Sequence, residues 1–248
     1  MLHEHAIQCV HDPLLMMLSY LVSVLGSFTA LQLAIAIPAA RGLMQRWSAI
    51  TYAGAAMGGG AIWAMHFIAM LACQMDLQVS YDLAITAASA VIGIASCMAG
   101  LAIASAGVFS WGKLVLAGLF MGLGVTGMHY TGMAAMLMPA NTHYDMTIVA
   151  ASALIAVVAS IVALWLAFNL RGRWQMLGSA LVMGLAVCGM HYTGMQAATF
   201  IPNGSQAEQF GLSGANLGMG IFAVTSVLLV AVLSTSLIRQ RQRNLVQI

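Results

Sequence analysis

Charged side chains are scarce in this chain. Only 6% of its 248 residues are Asp, Glu, Lys or Arg, whereas 62% are hydrophobic. Soluble domains have roughly a quarter charged residues, so eight basic and six acidic residues are too few to cover a water-soluble surface. This composition excludes a soluble domain and predicts an integral membrane protein.

Two further absences bear on the class of membrane protein: one excludes a retinal protein, and the other makes a zinc-dependent hydrolase the weaker alternative. The only lysine is Lys113, which lies between hydrophobic runs, so no helix offers the amine for a retinal Schiff base. No Asp or Glu lies inside a predicted helix. A zinc-dependent intramembrane hydrolase normally needs such a carboxylate as general base or to orient water, and its absence argues against that class.

Seven hydrophobic runs remain once the polar segments are set aside, and each is long enough to cross a bilayer as a helix. The sequence therefore predicts an all-α, polytopic membrane domain over 14–238, with an outer segment at 1–13. We interpret residues 239–248 as a basic cytoplasmic tail or the start of a linker to an output domain. The runs are 14–37, 48–73, 83–108, 114–138, 146–170, 175–201 and 215–238.

The charges that are present separate onto two sides. All basic residues follow odd-numbered runs, and all acidic residues fall on the other side, so the positive-inside rule places the N-terminus outside and the C-terminus in the cytoplasm. No Lys or Arg precedes the first run, which we therefore interpret as a permanent helix and not a cleaved signal peptide. The basic residues are Arg41, Arg46, Lys113, Arg171, Arg173, Arg239, Arg241 and Arg243, and the acidic ones are Glu4, Asp12, Asp76, Asp82, Asp145 and Glu208.

The four cysteines show no C-x-x-C ligand spacing. Cys9 and Cys73 both lie near the predicted outer face, where they either form a disulfide or are small buried residues. Cys97 fits a packing role. Cys188 precedes His191 by about one turn, which leaves it a peripheral role at that histidine.

Histidine is concentrated in a repeated motif. "WAMHFIAMLAC" at 63–73, "GVTGMHYTGMAAMLM" at 124–138 and "CGMHYTGMQAA" at 188–198 place His66, His129 and His191 at intervals of two helices. The three lie on helices two, four and six, which run in the same direction, so the histidines share one depth in the outer half of the membrane. The chain is thus predicted to be a pseudo-repeat of helix pairs.

Residues around each histidine form a stripe on one helical face, which we expect to face the bundle interior. On the cytoplasmic side of each histidine, the stripe consists of small residues four positions apart, a pattern that lets membrane helices pack closely. At eleven positions before the histidine stand Ala55, Gly118 and Ala180; at seven before, Gly59, Gly122 and Gly184; at three after, Ala69, Gly132 and Gly194; at four after, Met70, Met133 and Met195.

Three histidines at one depth indicate a shared metal or cofactor site, because ionisable groups inside a membrane usually mark function. The alternative is hydrogen bonding between helices. Imidazole suits zinc, copper and iron, whereas thioether ligands select copper(I), so flanking methionines favour copper, although methionine is also a packing residue. Haem and zinc remain alternatives. The candidate methionines are Met65, Met70, Met128, Met133, Met190 and Met195.

Other polar residues are weaker candidates. Tyr130 and Tyr192 follow two of the histidines and could hydrogen-bond to a ligand or lie at the membrane interface, and the first copy has Phe67 instead. The N-terminal His3, His5 and His11 form either a solvated tail or a tract that meets metal ions first.

The motif "MHYTGM" at 128–133 and 190–195, with "MHFIAM" at 65–70, resembles the MHYT domain family of bacterial membrane proteins over nearly the whole chain. The resemblance implies a non-enzymatic sensor domain whose motif Met, His and Tyr residues hold copper and detect oxygen, carbon monoxide or nitric oxide. Phe67 departs from the pattern, so the first copy offers no tyrosine ligand. The implied ligands are Met65, His66, Met128, His129, Tyr130, Met190, His191 and Tyr192.

From the resemblance we expect a sensor in the bacterial cytoplasmic (inner) membrane that responds to a diatomic gas or to redox or copper status. Its expected partners are the bilayer and a cytoplasmic output domain or protein, often related to cyclic di-GMP, with a homodimer as an option and no nucleic acid. The sequence ends at "RQRQRNLVQI" without an output domain, so we expect a sensor fragment or a separate partner. Copper transport and haem binding are the competing functions.

Overall fold

The computed structural model describes residues 6–169, 172–204, 211–227 and 234. Six of its helices are long and apolar enough to cross a membrane, so the predicted helical, polytopic class is confirmed. The seventh predicted helix begins at Gly214 and is described as far as Val227; apart from residue 234, the rest of it lies outside the described residues, as do the C-terminal tail, His3 and His5. The helices are α1 (Pro13–Ala34), α2 (Leu43–Ala72), α3 (Leu83–Ala104), α4 (Trp111–Ala134), α5 (Met146–Asn169), α6 (Arg173–Gln196) and α7 (Gly214–Val227).

Short antiparallel strands lie between these helices, and the hydrophobic pattern did not predict them. They also explain why the predicted runs extend past the observed ends of α4 and α6: apolar strand residues such as Phe200, only 3% exposed, keep the hydropathy high beyond the last helical turn. The strands are β1 (Val10–His11), β2 (Cys73–Gln74), β3 (Ser80–Tyr81), β4 (Met136–Leu137), β5 (Ala140–Tyr144), β6 (Ala198–Pro202) and β7 (Leu212–Ser213).

Strand pairing reveals a pseudo-threefold arrangement. A strand that precedes an odd-numbered helix pairs with a strand that follows an even-numbered helix: β1 with β2, β3 with β4, and β5 with β6. β7, which precedes α7, pairs with β3. The ends of α2, α4 and α6 are therefore tied to the starts of α1, α3 and α5 in the same way.

Aspartates begin all three odd-numbered helices. The carboxylates of Asp12, Asp82 and Asp145 accept hydrogen bonds from backbone N–H groups in the first turn of α1, α3 and α5, which satisfies donors that a helix start leaves unpaired. We call this end of the bundle, which also carries the strands, the strand end. The opposite end, with Arg41, Arg46 and Lys113, is the basic end.

A π-helical segment, Ala55–Trp63, interrupts α2. Such a segment holds an extra residue, since its hydrogen bonds skip five positions instead of four. The sequence alignment on the histidines ignored this extra residue. The first repeat is consequently one residue longer between its small residues and His66 than the other two repeats are.

The close contacts between helices show that the predicted stripe is shifted by one residue in the first repeat. A Cβ on Gly58 would lie 2.7 Å from Ile94 Cα in α3. A Cβ on Gly122 would lie 2.7 Å from Val157 N in α5. A Cβ on Gly184 would lie 2.7 Å from Val24 Cγ2 in α1. Gly58, and not the predicted Gly59, is thus the counterpart of Gly122. These glycines pack the motif helices against the odd-numbered helices.

Cys9 and Cys73 form a disulfide with their Cα atoms 5.3 Å apart. Of the two predicted roles for this pair, the disulfide is therefore the correct one. The bond joins the segment before α1 to the end of α2. Cys97 and Cys188 are free and buried.

Candidate metal centre

The three motif histidines meet inside the bundle. His66 of α2, His129 of α4 and His191 of α6 are each at most 1% exposed. Their Nδ1 atoms converge: that of His66 lies 3.0 Å from that of His191 and 3.1 Å from that of His129. A ligand atom from each lies within 4.8 Å of the other two. The repeat thus brings its three imidazoles to one point, as its spacing predicts.

Mutual hydrogen bonds cannot satisfy this cluster. An imidazole nitrogen either donates a proton or accepts one, so Nδ1 of His66 cannot bond fully to both of its neighbours. The Nε2 atoms of all three rings are buried without a partner as well. A cation at the centre would accept all three Nδ1 lone pairs at once. The donor set therefore fits a metal ion better than it fits a network of neutral rings.

The distances fit a single ion. Metal–imidazole bonds are about 2.0–2.1 Å long, so nitrogens 3.0 and 3.1 Å apart would subtend angles of about 95–100° at a common metal. The imidazole of His66 could therefore share one ion with each of its two neighbours. A bis-histidine haem needs its axial nitrogens on opposite sides of the iron, about 4 Å apart. The two nitrogen pairs at 3.0 and 3.1 Å are too close together to hold an iron in this way.

Glycine makes room for these rings. A Cβ on Gly132 of α4 would overlap Nε2 of His66, and a Cβ on Gly194 of α6 would overlap Nε2 of His129. Each glycine lies three residues after the histidine of its own repeat and against the histidine of the preceding repeat. The glycine of the MHYTG motif is therefore explained by the close approach of the histidine of the preceding repeat.

Aromatic residues cover the strand end of the cluster. The residue after each histidine contacts an aromatic residue just before an odd-numbered helix. Phe67 contacts Tyr81 with ring centroids 6.0 Å apart, Tyr130 contacts Tyr144 at 5.5 Å, and Tyr192 contacts His11 at 5.5 Å. Burial, followed by the nearby phenol of Tyr130, raises the pKa of Tyr144, so this phenol stays protonated at neutral pH.

The motif tyrosine also connects neighbouring repeats. The hydroxyl of Tyr130 lies 2.9 Å from Ser152 Oγ in α5, and Ser152 donates its own proton to the carbonyl of Val149, so Tyr130 is the donor. In the first repeat, where Phe67 lacks a hydroxyl, Trp63 Nε1 donates to the equivalent Ser89 at 3.1 Å. Tyr192 faces Ser19 of α1, the serine equivalent to Ser89 and Ser152.

The remaining sequence candidates lie around the cluster. All six motif methionines are buried, at 1–7% exposure. Cys188 packs in a small apolar cluster with Met65 and Ala69, beside Tyr192. Both a metal ligand and a packing residue would be buried in this way, so the role of the six methionines as ligands stays a prediction.

Sequence reasoning missed the partners of the motif tyrosines, although a signal for them exists. The signal appears when the repeats are aligned on the capping aspartates instead of the histidines. Each of these aspartates is preceded by an aromatic residue and is followed, seven residues later, by a serine. These residues are His11, Tyr81 and Tyr144, and Ser19, Ser89 and Ser152.

A small cavity lies on the basic side of the histidines. Its volume is about 30 Å³, and its lining includes Ile62, Val125 and Val187, each four residues before a motif histidine. Most other lining residues are methionine or alanine, and the polar ones are Ser27 and Ser160. The space below the cluster is therefore apolar and not a hydrophilic path.

Comparison with known proteins gives the family. The model of the MHYT family, described as a bacterial signalling protein N-terminal repeat, matches residues 59–117, 122–180 and 184–246. The chain is 40% identical over 234 residues to the Pseudomonas aeruginosa bifunctional diguanylate cyclase/cyclic di-GMP phosphodiesterase MucR, covering 92% of this chain and 33% of that protein.

Two further relatives have the same proportions. The cyclic di-GMP phosphodiesterase NbdA of Pseudomonas aeruginosa is 35% identical over 207 residues, which cover 81% of this chain and 26% of NbdA. Signaling protein YkoW of Bacillus subtilis is 29% identical over 213 residues, 82% of this chain and 26% of that protein. No solved structure matches.

The chain thus spans between a quarter and a third of these relatives. The matched region is a membrane signalling module, and it is not the catalytic part of the enzymes. Three family matches, each containing one motif histidine, cover most of the sequence. The chain belongs to the MHYT family of bacterial membrane signalling domains.

Proposed function

We propose that this chain is a membrane sensor domain that binds one copper ion through His66, His129 and His191. The observation that carries the proposal is the convergence of three buried imidazoles, in which Nδ1 of His66 lies 3.0 Å from that of His191 and 3.1 Å from that of His129. Buried polar groups left unpaired destabilise a protein, and in the bilayer interior water cannot relieve them. A ligand that the three imidazoles share would remove this cost, and we infer that the cluster serves to bind one.

Methionine is the argument for copper over zinc. Three imidazoles suit either metal, but thioethers are soft ligands that select copper(I). Each imidazole has a buried methionine one residue before and four residues after it, such as Met128 and Met133 around His129. The methionine at four residues after lies on the same helical face as the histidine, and we propose Met70, Met133 and Met195 as the ligands nearest the ion, with Met65, Met128 and Met190 as further candidates.

Copper bound here would supply an open coordination position and a one-electron redox couple, which suit detection of oxygen, carbon monoxide, nitric oxide or redox status. The protein's own part is to hold the imidazoles apart from water. Tyr130 holds α4 against α5 through Ser152, and we assign Tyr130 and Tyr192 this supporting role rather than that of ligands. Cys188 lies beside the centre and packs there.

Signal transmission would run through the contacts between repeats. Gly132 and Gly194 lie directly against the imidazoles of the preceding repeat, so a shift of one ring displaces the next motif helix. A sensor requires two states that differ in ligand affinity, and closely packed helices favour discrete shifts over gradual ones. We propose that the shift reaches a cytoplasmic output, which in relatives such as MucR is named for cyclic di-GMP chemistry.

The orientation and location belong to the same proposal. All basic residues follow odd-numbered runs, so the positive-inside rule places the strand end and the histidines toward the outer face of a bacterial cytoplasmic membrane. The apolar lining on the basic side of the histidines favours a sensor over a copper transporter, which would need polar groups to continue inward.

The test is the metal content of detergent-purified protein together with its absorbance spectrum. We expect about one copper per chain, lost in the His129→Gln variant and retained in His143→Gln, which changes an exposed histidine of β5. Zinc in place of copper would overturn the metal assignment, and a Soret band would overturn it in favour of haem. Protein that neither contains nor takes up copper would reduce the histidines to groups that join the helices.

Exposure of the copper-loaded protein to carbon monoxide, nitric oxide and oxygen in turn tests the sensing step. We expect at least one gas to change the spectrum of the wild type and none to change that of metal-free protein. A spectrum indifferent to all three would restrict the signal to copper or redox status.

A further inference from the structure

The pseudo-threefold arrangement fails at one chemically important position. Tyr81 and Tyr144 precede α3 and α5 and cover the first two motif copies, but His11 takes this position before α1. Its ring contacts Tyr192, whose ring in turn lies 5.0 Å from that of His191. A potential metal ligand therefore stands one aromatic ring away from the histidine cluster, on one side only.

Two cysteines accompany this histidine. Cys9 Sγ lies 3.6 Å from Nε2 and 3.7 Å from Nδ1 of His11. Cys73, bonded to Cys9, is the residue directly opposite His11 in the pairing of β1 with β2. The first strand pair thus gathers two sulfurs and an imidazole at the strand end. The four cysteines of the chain are Cys9, Cys73, Cys97 and Cys188, so the second and third strand pairs contain none.

We propose that, when the Cys9–Cys73 disulfide is reduced, Cys9, Cys73 and His11 bind one copper(I) ion in a second site outside the histidine cluster. A dithiol reductant transfers two electrons and two protons to the disulfide, becomes a disulfide itself and leaves two thiols; metal binding then releases their protons to water as the thiolates become ligands. Re-oxidation by an oxidase of the disulfide class passes the two electrons to that enzyme's disulfide, which becomes a dithiol, re-forms the Cys9–Cys73 bond and releases the copper(I) ion. The site therefore exists only in the dithiol form.

The observed distances bring the ligand groups together, although not yet in coordination geometry. Cys9 Sγ is almost equally far from the two ring nitrogens of His11, at 3.6 and 3.7 Å, so it does not lie on the lone pair of either nitrogen. Reduction frees the Cys9 side chain to rotate toward one nitrogen, and thiolate is the ligand that soft copper(I) prefers. Cys73 reaches the same ion once the bond between the sulfurs is broken, because the strand pairing holds it opposite His11.

The position of the site gives it a role. An ion at His11 would lie next to Tyr192 and thus beside the wall of the histidine cluster. The site can collect copper at the outer face and deliver it to the cluster, while the disulfide withholds delivery under oxidising conditions. This delivery role rests on the proposed function, whereas copper binding at the outer site does not.

The experiment is an anaerobic copper(I) titration against a chromogenic chelator, with disulfide-bonded protein and with protein reduced by a phosphine. The phosphine, which takes its oxygen from water as the thiols form, is removed before titration. We expect the reduced form to bind one more copper per chain than the oxidised form, with sulfur neighbours in the X-ray absorption spectrum of the additional ion. Equal binding by the two forms would overturn the proposal.

Variants assign the additional ion. Cys9→Ser combined with Cys73→Ser should abolish the difference, and His11→Gln should weaken binding of the additional ion at least tenfold. His143→Gln and Cys97→Ala are the matched controls and should preserve it. A difference that survives the double cysteine variant, or one that Cys97→Ala removes, would contradict the assignment.

A last variant separates the two sites. His66→Gln, His129→Gln and His191→Gln together should remove the ion bound to oxidised protein and leave the additional ion of the reduced protein. If oxidised wild type binds no copper but reduced wild type binds one, the cluster proposal fails and the outer site stands. If reduction adds no ion to either protein, the outer site fails on its own.

Discussion

Gly132 lies against the imidazole of His66, so close that a Cβ at this position would overlap Nε2. The contact joins the motif glycine of one repeat to the motif histidine of the preceding one. Gly194 and His129 repeat the relationship. In the first copy the equivalent position is Ala69, which is fully buried. The motif is therefore a device for packing three helices around three rings, as well as a set of candidate ligands.

The substitution Gly132→Ala should weaken copper binding at least tenfold. The added methyl group must displace the His66 ring from the other two, and overpacking a closely packed core costs about 1–3 kcal/mol. Competition titration of copper(I) measures the effect. Gly127→Ala in the same helix is the control, because the nearest atom to its Cβ would be Ile92 Cγ2 at 4.0 Å. Equal losses in both variants would contradict the packing account.

The hydrogen bond between Tyr130 and Ser152 can be measured with Tyr130→Phe, Ser152→Ala and the double variant. We expect a coupling free energy of about 0.5–1.5 kcal/mol, the usual net contribution of one hydrogen bond, in unfolding by a denaturing detergent. Copper affinity should change little in either single variant. A large loss of affinity in Tyr130→Phe, with none in Ser152→Ala, would instead identify the tyrosine as a ligand.

Because the π-helical segment holds one extra residue, we expect the chain to tolerate the deletion of a residue there. Deleting Gly59 would give the first repeat the same spacing as the other two, with Gly58 and His66 both kept in register, so we expect the copper content to be retained. Deleting Leu123 from the regular helix α4 should abolish copper binding, since a missing residue turns His129 by about 100° relative to Gly122. Metal analysis of both proteins decides. Loss of copper in the Gly59 deletion alone would show that the extra residue is needed in its own right.

Methionine ligands predict selectivity for a soft metal. Replacing Met70, Met133 and Met195 by leucine, which conserves volume, should lower copper(I) affinity at least tenfold and leave zinc affinity unchanged. Met219→Leu is the control, because this residue of α7 is 65% exposed. A parallel fall in copper and zinc affinity would mean that the methionines act by packing.

Much of this architecture follows from the sequence, for physical reasons. A bilayer sets the length of the hydrophobic runs, and a repeat of two helices brings matched residues to one depth. Those two constraints suffice to bring His66, His129 and His191 together. They also predict buried methionines and small residues around them.

The remainder depends on contacts that periodicity does not encode. The π-helical segment shifts Gly58 by one position relative to a simple alignment, and the glycine-rich sequence gives no direct sign of this shift. Strand residues such as Phe200 are as hydrophobic as the helix before them. Ser89 and Ser152 lie on odd-numbered helices, so alignment on the histidines overlooks them. Their common distance from Asp82 and Asp145 becomes meaningful once those residues are seen to cap helices.

X-ray absorption at the copper edge tests the central claim most directly. We expect copper-loaded, disulfide-bonded protein to show scattering from three imidazoles around a single ion, with metal–nitrogen distances of about 2.0 Å. The combined variant His66→Gln, His129→Gln and His191→Gln should lose both the ion and this signal. Copper that keeps the same imidazole scattering in the combined variant, or wild-type protein that binds no copper, would contradict the account.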